Sequence, residues 1–565
     1  MKIFEKDTAT RWIYGIILII AVAFRLLNLN SVPLTNPEAQ QALCAVDAER
    51  SGCDAISRIY LFFTDTLFTI FGSSNFSARV VPALLGSLIV ILPLLLEPLL
   101  EKKTAVVLAI CLALDPILIQ TARAASDVMI GMVFILFLLV FLLKRNWSAA
   151  VVTFAFGLLS GKTFWIGFLI TGMTYGVTWL LSHKEVRIED HQEIDIPLFR
   201  KQNMHLLLIL FLLWLGISTR LATEPSGLWS PVKALLSIFP GSTVGDPEMT
   251  LSTDVRLVAF LFYAFYAIVF CIAAFFHTEK QENKKNLFLL VWILLGMVVF
   301  LIPQFSFYEA VWMCVPMWVM AAGCMVKIGS ATWRERKTIL VPFLVGIAIL
   351  VFLSFQILRL HYLLSAGMEL TTNLMLLVSP LLLCILFVLL YAYGWSWTRT
   401  VQVLSALLLV CGFFTMVRNA NRSANITGTY EYELMREAPY LKNSDLLLEE
   451  IENYRTQKSI SPKEITIALS MKERTESLQW ALRNYSISVV DDPTALDGVD
   501  YDIFITDADA SYTFNDHESE NFVLSSDVAW VREDFSGFLP DEILEWLIYR
   551  TASLNVTSFS VWFKS

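Results

Sequence analysis

The sequence predicts a mainly α protein: a polytopic transmembrane helix bundle of about 13 spans with a C-terminal extracytoplasmic α/β domain. Three observations carry this. Of 565 residues, 56% are hydrophobic and only 16% are charged, where a soluble domain carries about 25% charged residues. The apolar residues gather in blocks of about 16–22, and a helix needs about 20 to cross a hydrocarbon core of ~30 Å. Lipid cannot hydrogen-bond a backbone, so such blocks form helices. The charge is also divided: residues 1–418 hold 30 Lys+Arg and 25 Asp+Glu (+5), whereas 419–565 hold 12 and 26 (−14). A membrane domain, 1–418, and a soluble domain, 419–565, follow from that division.

Along the chain, MKIFEKDTATR precedes an apolar run that continues into Phe24-Arg25-Leu26-Leu27 rather than a small-residue cleavage site. It reads as a retained first helix that doubles as a signal anchor. Spans are expected at 12–28, 78–100, 104–121, 126–143, 147–160, 163–181, 204–220, 256–276, 287–302, 309–327, 339–358, 372–393 and 400–417. The pair around Gly161-Lys162 can instead be one long kinked helix. With the N-terminus cytoplasmic, the cytoplasmic segments hold 19 Lys+Arg and the opposite segments 11. They are Lys2/Lys6/Arg11, Lys102-Lys103, Lys144-Arg145, 184–201, Lys280/Lys284/Lys285, 327–337 and Arg399. That bias orients the chain, and thirteen spans place the tail outside. Within the first long loop, 29–77, the aromatic stretch 59–71 is interrupted by Asp65, which suits a helix lying in the membrane interface.

The tail alternates expected strands and helices. Strands are expected at 464–470, 486–490, 501–506, 522–531 and 556–563, with helices at 472–484 and 541–549. This pattern suits a layered α/β arrangement. The acidity of the tail argues against nucleic acid as a partner, and the basic balance of the membrane part suits contact with lipid headgroups or phosphate. All eight cysteines precede residue 419, and six sit in apolar blocks. Cys44 and Cys53 fall in the first loop and can pair if it is extracytoplasmic.

Several charged residues sit at expected turns on the outer face. Glu38 follows Pro37 directly after the first helix, where a carboxylate also suits the first turn of a new helix. Arg123 and Asp127 lie between two spans, in LDPILIQTARAASDVMIG. At i, i+4 they can pair with each other, although charges at membrane depth usually face a cavity or a ligand. Arg79 begins a span and Lys162 separates two; either can simply snorkel to headgroups. Glu309, in SFYEAVWMCVPMW, reads as a marker of the interface. A carboxylate can take a proton from an attacking hydroxyl, and cations can stabilise a departing phosphate. The sequence has no HExxH, no Cys/His cluster of zinc spacing, no P-loop and no G-x-S-x-G elbow. Nor does it show the paired interrupted helices of an inverted-repeat transporter.

Phe24-Arg25-Leu26-Leu27, the acidic loop at Glu38, Phe76-Ser77-Ala78-Arg79-Val80-Val81-Pro82, the run from Asp115-Pro116 to Asp127, and the stretch from Gly157 to Lys162 follow one another in a characteristic order. With Trp480-Ala481-Leu482-Arg483-Asn484-Tyr485 in the tail, the chain resembles the C-type membrane glycosyltransferase superfamily. That superfamily includes the protein O-mannosyltransferases and the aminoarabinose transferases, and the likeness is greatest to a prokaryotic branch described as flippase-activity-associated. The resemblance implies sugar transfer, with inversion, from a polyprenyl-phosphate sugar donor to a protein, lipid or glycan acceptor outside the cell membrane. It implies an active site beneath the first loop and the tail. Glu38 is then the general base or a substrate-positioning carboxylate. Arg123 and Lys162 contact the carrier phosphate, with Arg79 a further candidate. Asp127 orients Arg123 or the acceptor. The sequence identifies no metal ligands.

Many members carry Asp-Glu in the first loop, with the Asp as catalytic base; here the pair is Pro37-Glu38. Either Glu38 serves in its place, or Asp47 or Asp54 does, or the chain binds and presents lipid-linked sugars without turning them over.

Overall fold

The structure, a computed structural model, describes residues 8–47, 50, 53, 56–181, 203–239, 252–276, 283–366, 370–428, 430–436, 440–471, 475–490, 501–508, 517–528 and 540–565. The basic positions Lys2, Lys6, 184–201 and Lys280 lie outside the described residues, as does Asp54. So do the beginning of the expected 472–484 helix and the end of the expected 522–531 strand.

Up to Ser423 the described chain is helical, with each apolar block forming a helix or a pair of helices. Five helices among the described residues are long and apolar enough to cross a membrane: Asn75–Leu96, Lys162–Leu181, Phe307–Arg334, Arg336–Leu363 and Trp397–Ser423. Two further pairs satisfy the same test as bent units. One is Lys102–Leu114 with Pro116–Arg123, bent by 52°. The sequence suggested a single span at 104–121, and the break has a local cause. The Asp115 carboxylate accepts from the Leu118 amide at 2.7 Å as an N-cap, and Pro116 occupies the first helical position. An Asp-Pro pair of this kind starts a helix and cannot continue one. The other pair, Thr253–Tyr263 with Phe265–Phe275, bends by 72°.

The region around Gly161 is a helical hairpin and not one kinked helix. Trp147–Gly157 and Lys162–Leu181 are separate, and Phe154 lies 5.9 Å from Phe164 and 5.7 Å from Phe168, centroid to centroid. Gly157 permits this reversal, because a Cβ there would fall 2.2 Å from the Phe164 ring.

Buried arginines close helix ends in this apolar setting. Arg25 donates to the carbonyls of Leu112 (3.2 Å) and Ala113 (3.5 Å), at the end of Lys102–Leu114. Arg256 donates to Phe300 (2.5 Å) and Ile302 (3.4 Å), at the end of Asn283–Leu301. The last carbonyls of a helix have no partner of their own, and lipid supplies none.

The tail forms one mixed six-stranded sheet from β1 (Tyr440–Leu441), β2 (Thr466–Ser470), β3 (Ser486–Val489), β4 (Ile503–Asp507), β5 (His517–Val528) and β6 (Leu554–Lys564), in the order β1-β5-β6-β4-β2-β3. β2 runs parallel to β3 and β4, and the other pairs are antiparallel. The helix Glu476–Ala481 makes the β2–β3 crossover. The helix Ser444–Lys458 and strand β1 are additions to the expected set. Its buried stripe of Leu447, Ile451 and Tyr454 packs in one core with Ile467, Leu469, Ile503 and Ile505 of the sheet.

Candidate functional site

The chain from the first helix, Thr8–Leu26, leads to a short helix, Asn36–Val46, which begins with Thr35 as N-cap and Pro37 in its first turn. Glu38 completes a capping box: its Oε2 accepts from the Thr35 amide (3.0 Å) and hydroxyl (3.1 Å). The same carboxylate takes a bidentate contact from Arg79, Nε to Oε1 at 2.8 Å and Nη2 to Oε2 at 2.7 Å. The Ala125 amide donates to Oε1 at 2.9 Å. Glu38 is thus held by five donors from three separate parts of the chain. Burial pushes its carboxyl up, but the Arg79 guanidinium and the two amides outweigh burial and hold it below the ordinary carboxylate range.

Arg79 does more than neutralise Glu38. Its other donors reach the carbonyls of Leu29 (3.2 Å), Val32 (2.6 Å) and Pro33 (3.0 Å), which fixes the loop between the first helix and Glu38. Arg79 is buried, so snorkelling to headgroups does not describe it.

Arg123 and Asp127 do not pair. The helix Pro116–Arg123 ends at Arg123, and the following turn removes the helical i, i+4 relation. Arg123 instead donates to the carbonyls of Phe24 (3.2 Å), Arg25 (3.3 Å), Leu27 (2.6 Å) and Asn28 (3.2 Å), closing the end of the first helix. Together with Arg79, Gln120 and Tyr430, it lines a narrow gap of about 10 Å³. Gln120 donates to the Tyr430 hydroxyl at 2.9 Å. Burial and the nearby Glu38 charge push that hydroxyl up, so it stays protonated.

Asp127 belongs to a different cluster. It is buried against Gly161, where a Cβ would fall 2.4 Å from its Oδ2. Lys162 is half-buried at the start of its helix, within electrostatic range of both Asp127 and Glu309. Glu309 is fully buried and accepts from Trp312 Nε1 (2.6 Å) and from the Thr163 hydroxyl (3.4 Å). Glu309 is therefore more than the interface marker its sequence context suggests. Its place beside Lys162 depends on packing between segments about 150 residues apart in sequence, and no local spacing signals it. Gly161 sits at φ +92°. A Gly161→Ala substitution is expected to cost about 1–3 kcal/mol from backbone strain, plus the displacement of Asp127. A thermal-unfolding shift against wild type checks this.

The tail closes over the first loop through its Trp-x-Leu-Arg-x-Tyr element. The Ser477 amide donates to Asn36 Oδ1 (2.9 Å), Trp480 Nε1 to Asn75 Oδ1 (2.8 Å), and Arg483 to the Ser73 carbonyl (2.6 Å). Arg50 donates to Gln479. Cys44 and Cys53 form a disulfide in the same loop. Asp47 caps the end of Asn36–Val46 and is not among the groups gathered around Arg79. Among the described residues, no group of His, Cys, Asp and Glu is arranged to hold a metal ion.

Residues 59–194 match the family model described as dolichyl-phosphate-mannose-protein mannosyltransferase. Two solved structures of ArnT from Cupriavidus metallidurans share the fold. The apo form superposes with a TM-score of 0.52 at 14% identity, and the form bound to undecaprenyl phosphate with 0.51 at 13%. Each match covers 89% of this chain and 94% of the other. This chain is similar to the mannosyltransferase and ArnT-like C-type glycosyltransferases. That agrees with the resemblance implied by the sequence motifs, and the apolar helices make it a multi-pass membrane protein. The matched segment carries Arg79, Arg123, Asp127 and Lys162, whereas Glu38 precedes it. No curated protein matches the chain.

Proposed function

We propose that the chain is a membrane glycosyltransferase that moves a sugar from a polyprenyl-phosphate carrier to an extracytoplasmic protein, lipid or glycan acceptor, in the flippase-activity-associated branch of the C-type superfamily. The observation that carries this reading is the gathering of Glu38, Arg79 and Arg123 under the first loop, with Asp127, Lys162 and Glu309 at the neighbouring turn. The likeness to a protein crystallised with undecaprenyl phosphate supports the same donor class.

In this reading Lys162 attracts the carrier phosphate and stabilises the charge left on it, with the buried Arg79 and Arg123 adding positive potential from beneath the first loop. Asp127 balances the Lys162 charge or orients the acceptor. Glu38 fits the positioning role better than that of base, since all its oxygens already accept hydrogen bonds. The Cys44–Cys53 disulfide favours an extracytoplasmic first loop. Together with the basic-residue bias it favours a cytoplasmic N-terminus; thirteen spans, a membrane domain of 1–418 and an outer domain of 419–565 complete the proposed topology.

A second reading is specifically favoured by Pro37, which stands where the resemblance places the catalytic Asp. On that reading the chain binds or presents lipid-linked sugars without transfer. The deciding assay uses purified full-length protein in lipid with radiolabelled polyprenyl-phosphate mannose, glucose or aminoarabinose, following release of the carrier phosphate. Release that is enzyme-dependent is the expected result. Carrier binding without release from any donor selects the second reading.

A further inference from the structure

We propose that the groove between 28–33 and the linker from the last long helix to the tail (425–428 and 430–431) binds an uncharged, hydroxyl-bearing glycan portion of the acceptor. This rests on the glycosyltransferase reading and gives the acceptor class for it.

The groove is open to solvent, with a volume of about 450 Å³, and is walled by Asn28, Ser31, Asn425, Tyr430 and Glu431. Val32 and Tyr430 also line the gap that holds Arg79 and Arg123, so the groove runs into the guanidinium cluster. Its wall is built, not incidental. Asn28 and Asn425 both adopt left-handed backbone, φ 53° and 51°. The Ser31 hydroxyl donates to the Asn28 carbonyl at 2.7 Å, and Asn28 Nδ2 donates to the Asn425 carbonyl at 3.2 Å. With its own proton used, Ser31 Oγ can only accept, and it does so from Asn425 Nδ2 at 2.9 Å.

That arrangement fixes which way the Asn425 amide faces and leaves its Oδ1 buried without a partner. Asn425 is only 8% exposed. A buried acceptor with nothing to accept from is costly, and such groups are rare unless a ligand or water serves them. Glu431 shows a matching asymmetry. Its Oε1 takes both Lys442 Nζ (2.6 Å) and Ser526 Oγ (2.7 Å), whereas among the described residues no donor reaches Oε2. Although partial burial pushes the carboxyl up, these two contacts and the nearby Arg436 charge outweigh it and hold Glu431 below the ordinary carboxylate range.

The orphaned Asn425 Oδ1 and the Glu431 carboxylate, both on residues that line the groove, favour a ligand that brings donors. A sugar supplies hydroxyl donors along its edge and an apolar C–H face, for which Tyr430 and Ile426 offer contact. An extended peptide brings as many carbonyls as amides, and its carbonyls would face the Glu431 carboxylate.

The test is saturation-transfer NMR on full-length protein in lipid nanodiscs. The probes are maltotriose, mannotriose and chitotriose, with a Ser/Thr-rich peptide and undecaprenyl phosphate in parallel. Asn425→Gly keeps the left-handed backbone while removing the amide, and Glu431→Gln removes the charge. At least one trisaccharide is expected to bind wild type, and each substitution to weaken it by about five- to tenfold with undecaprenyl phosphate binding unchanged. Trisaccharide binding that is equal in wild type and variants overturns the proposal. So does failure of every trisaccharide to bind while undecaprenyl phosphate does, which leaves the transferase reading standing. Loss of undecaprenyl phosphate binding in wild type as well sinks both. Peptide binding that the two variants abolish, without trisaccharide binding, replaces the glycan with a peptide acceptor.

Discussion

Replacing Glu38 by alanine is expected to destabilise the protein by about 3–5 kcal/mol, because truncating one member of a buried ion pair leaves the other charge uncompensated. The side chains of Glu38 and Arg79 are only 5% and 4% exposed, and their contact is 2.7 Å. The loss reaches further than one pair. Glu38 also ties Thr35 to Ala125, and through Arg79 it fixes the carbonyls of Leu29, Val32 and Pro33. A double-mutant cycle with Glu38→Leu and Arg79→Met separates the pair from the rest. The coupling energy is expected near the upper end of the ~0.5–3 kcal/mol seen for contacting residues. The double variant stays less stable than wild type, since the three carbonyls lose their donor. Additive single effects in thermal unfolding would show that the pair is not coupled.

The same pair sets a pH dependence whose sign is fixed. The folded Glu38 carboxyl lies below its ordinary value. Its stabilisation is therefore fully present above the unfolded glutamate value of about 4.3 and is lost as pH falls through the folded value. Acid unfolding of Glu38→Gln should lack this component.

The helices were legible because each depends on local composition. The apolar blocks and Pro37 before a helix act through their immediate neighbours, whereas the break at Asp115-Pro116 falls inside the span expected at 104–121. Candidate site residues were legible for a related reason: an isolated charge in an apolar sequence stands out. Their partners were not. Arg123 at i, i+4 from Asp127 suggested a pair, but a helix end between them sends Arg123 to Phe24 and Leu27, about 100 residues away in sequence. Glu309 was visible as a charge, yet only tertiary packing sets it beside Lys162. The helix Ser444–Lys458 escaped notice because its apolar stripe is three residues wide and surrounded by charge.

Lys162→Gln is expected to lower sugar transfer by about 10²–10³-fold, the loss typical of removing one group that stabilises charge in a transition state. Lys162 is the first residue of its helix, where the dipole disfavours a cation. Asp127 and Glu309 offset that cost electrostatically. Among the described residues no side chain makes an ion pair or hydrogen bond with the Lys162 ammonium, which therefore keeps its donors for an incoming anion. A merely structural lysine and a phosphate-binding one differ in what they move. If Lys162 only balances the two carboxylates, Lys162→Gln lowers the unfolding temperature while transfer per folded molecule stays near wild type. If it receives the carrier phosphate, undecaprenyl phosphate binding weakens and transfer collapses in protein that remains folded. Lys162→Arg restores part of the binding, because it keeps the charge but changes its reach and geometry. Undiminished transfer by folded Lys162→Gln would remove this residue from the site and leave Arg79 and Arg123 as the cations to test.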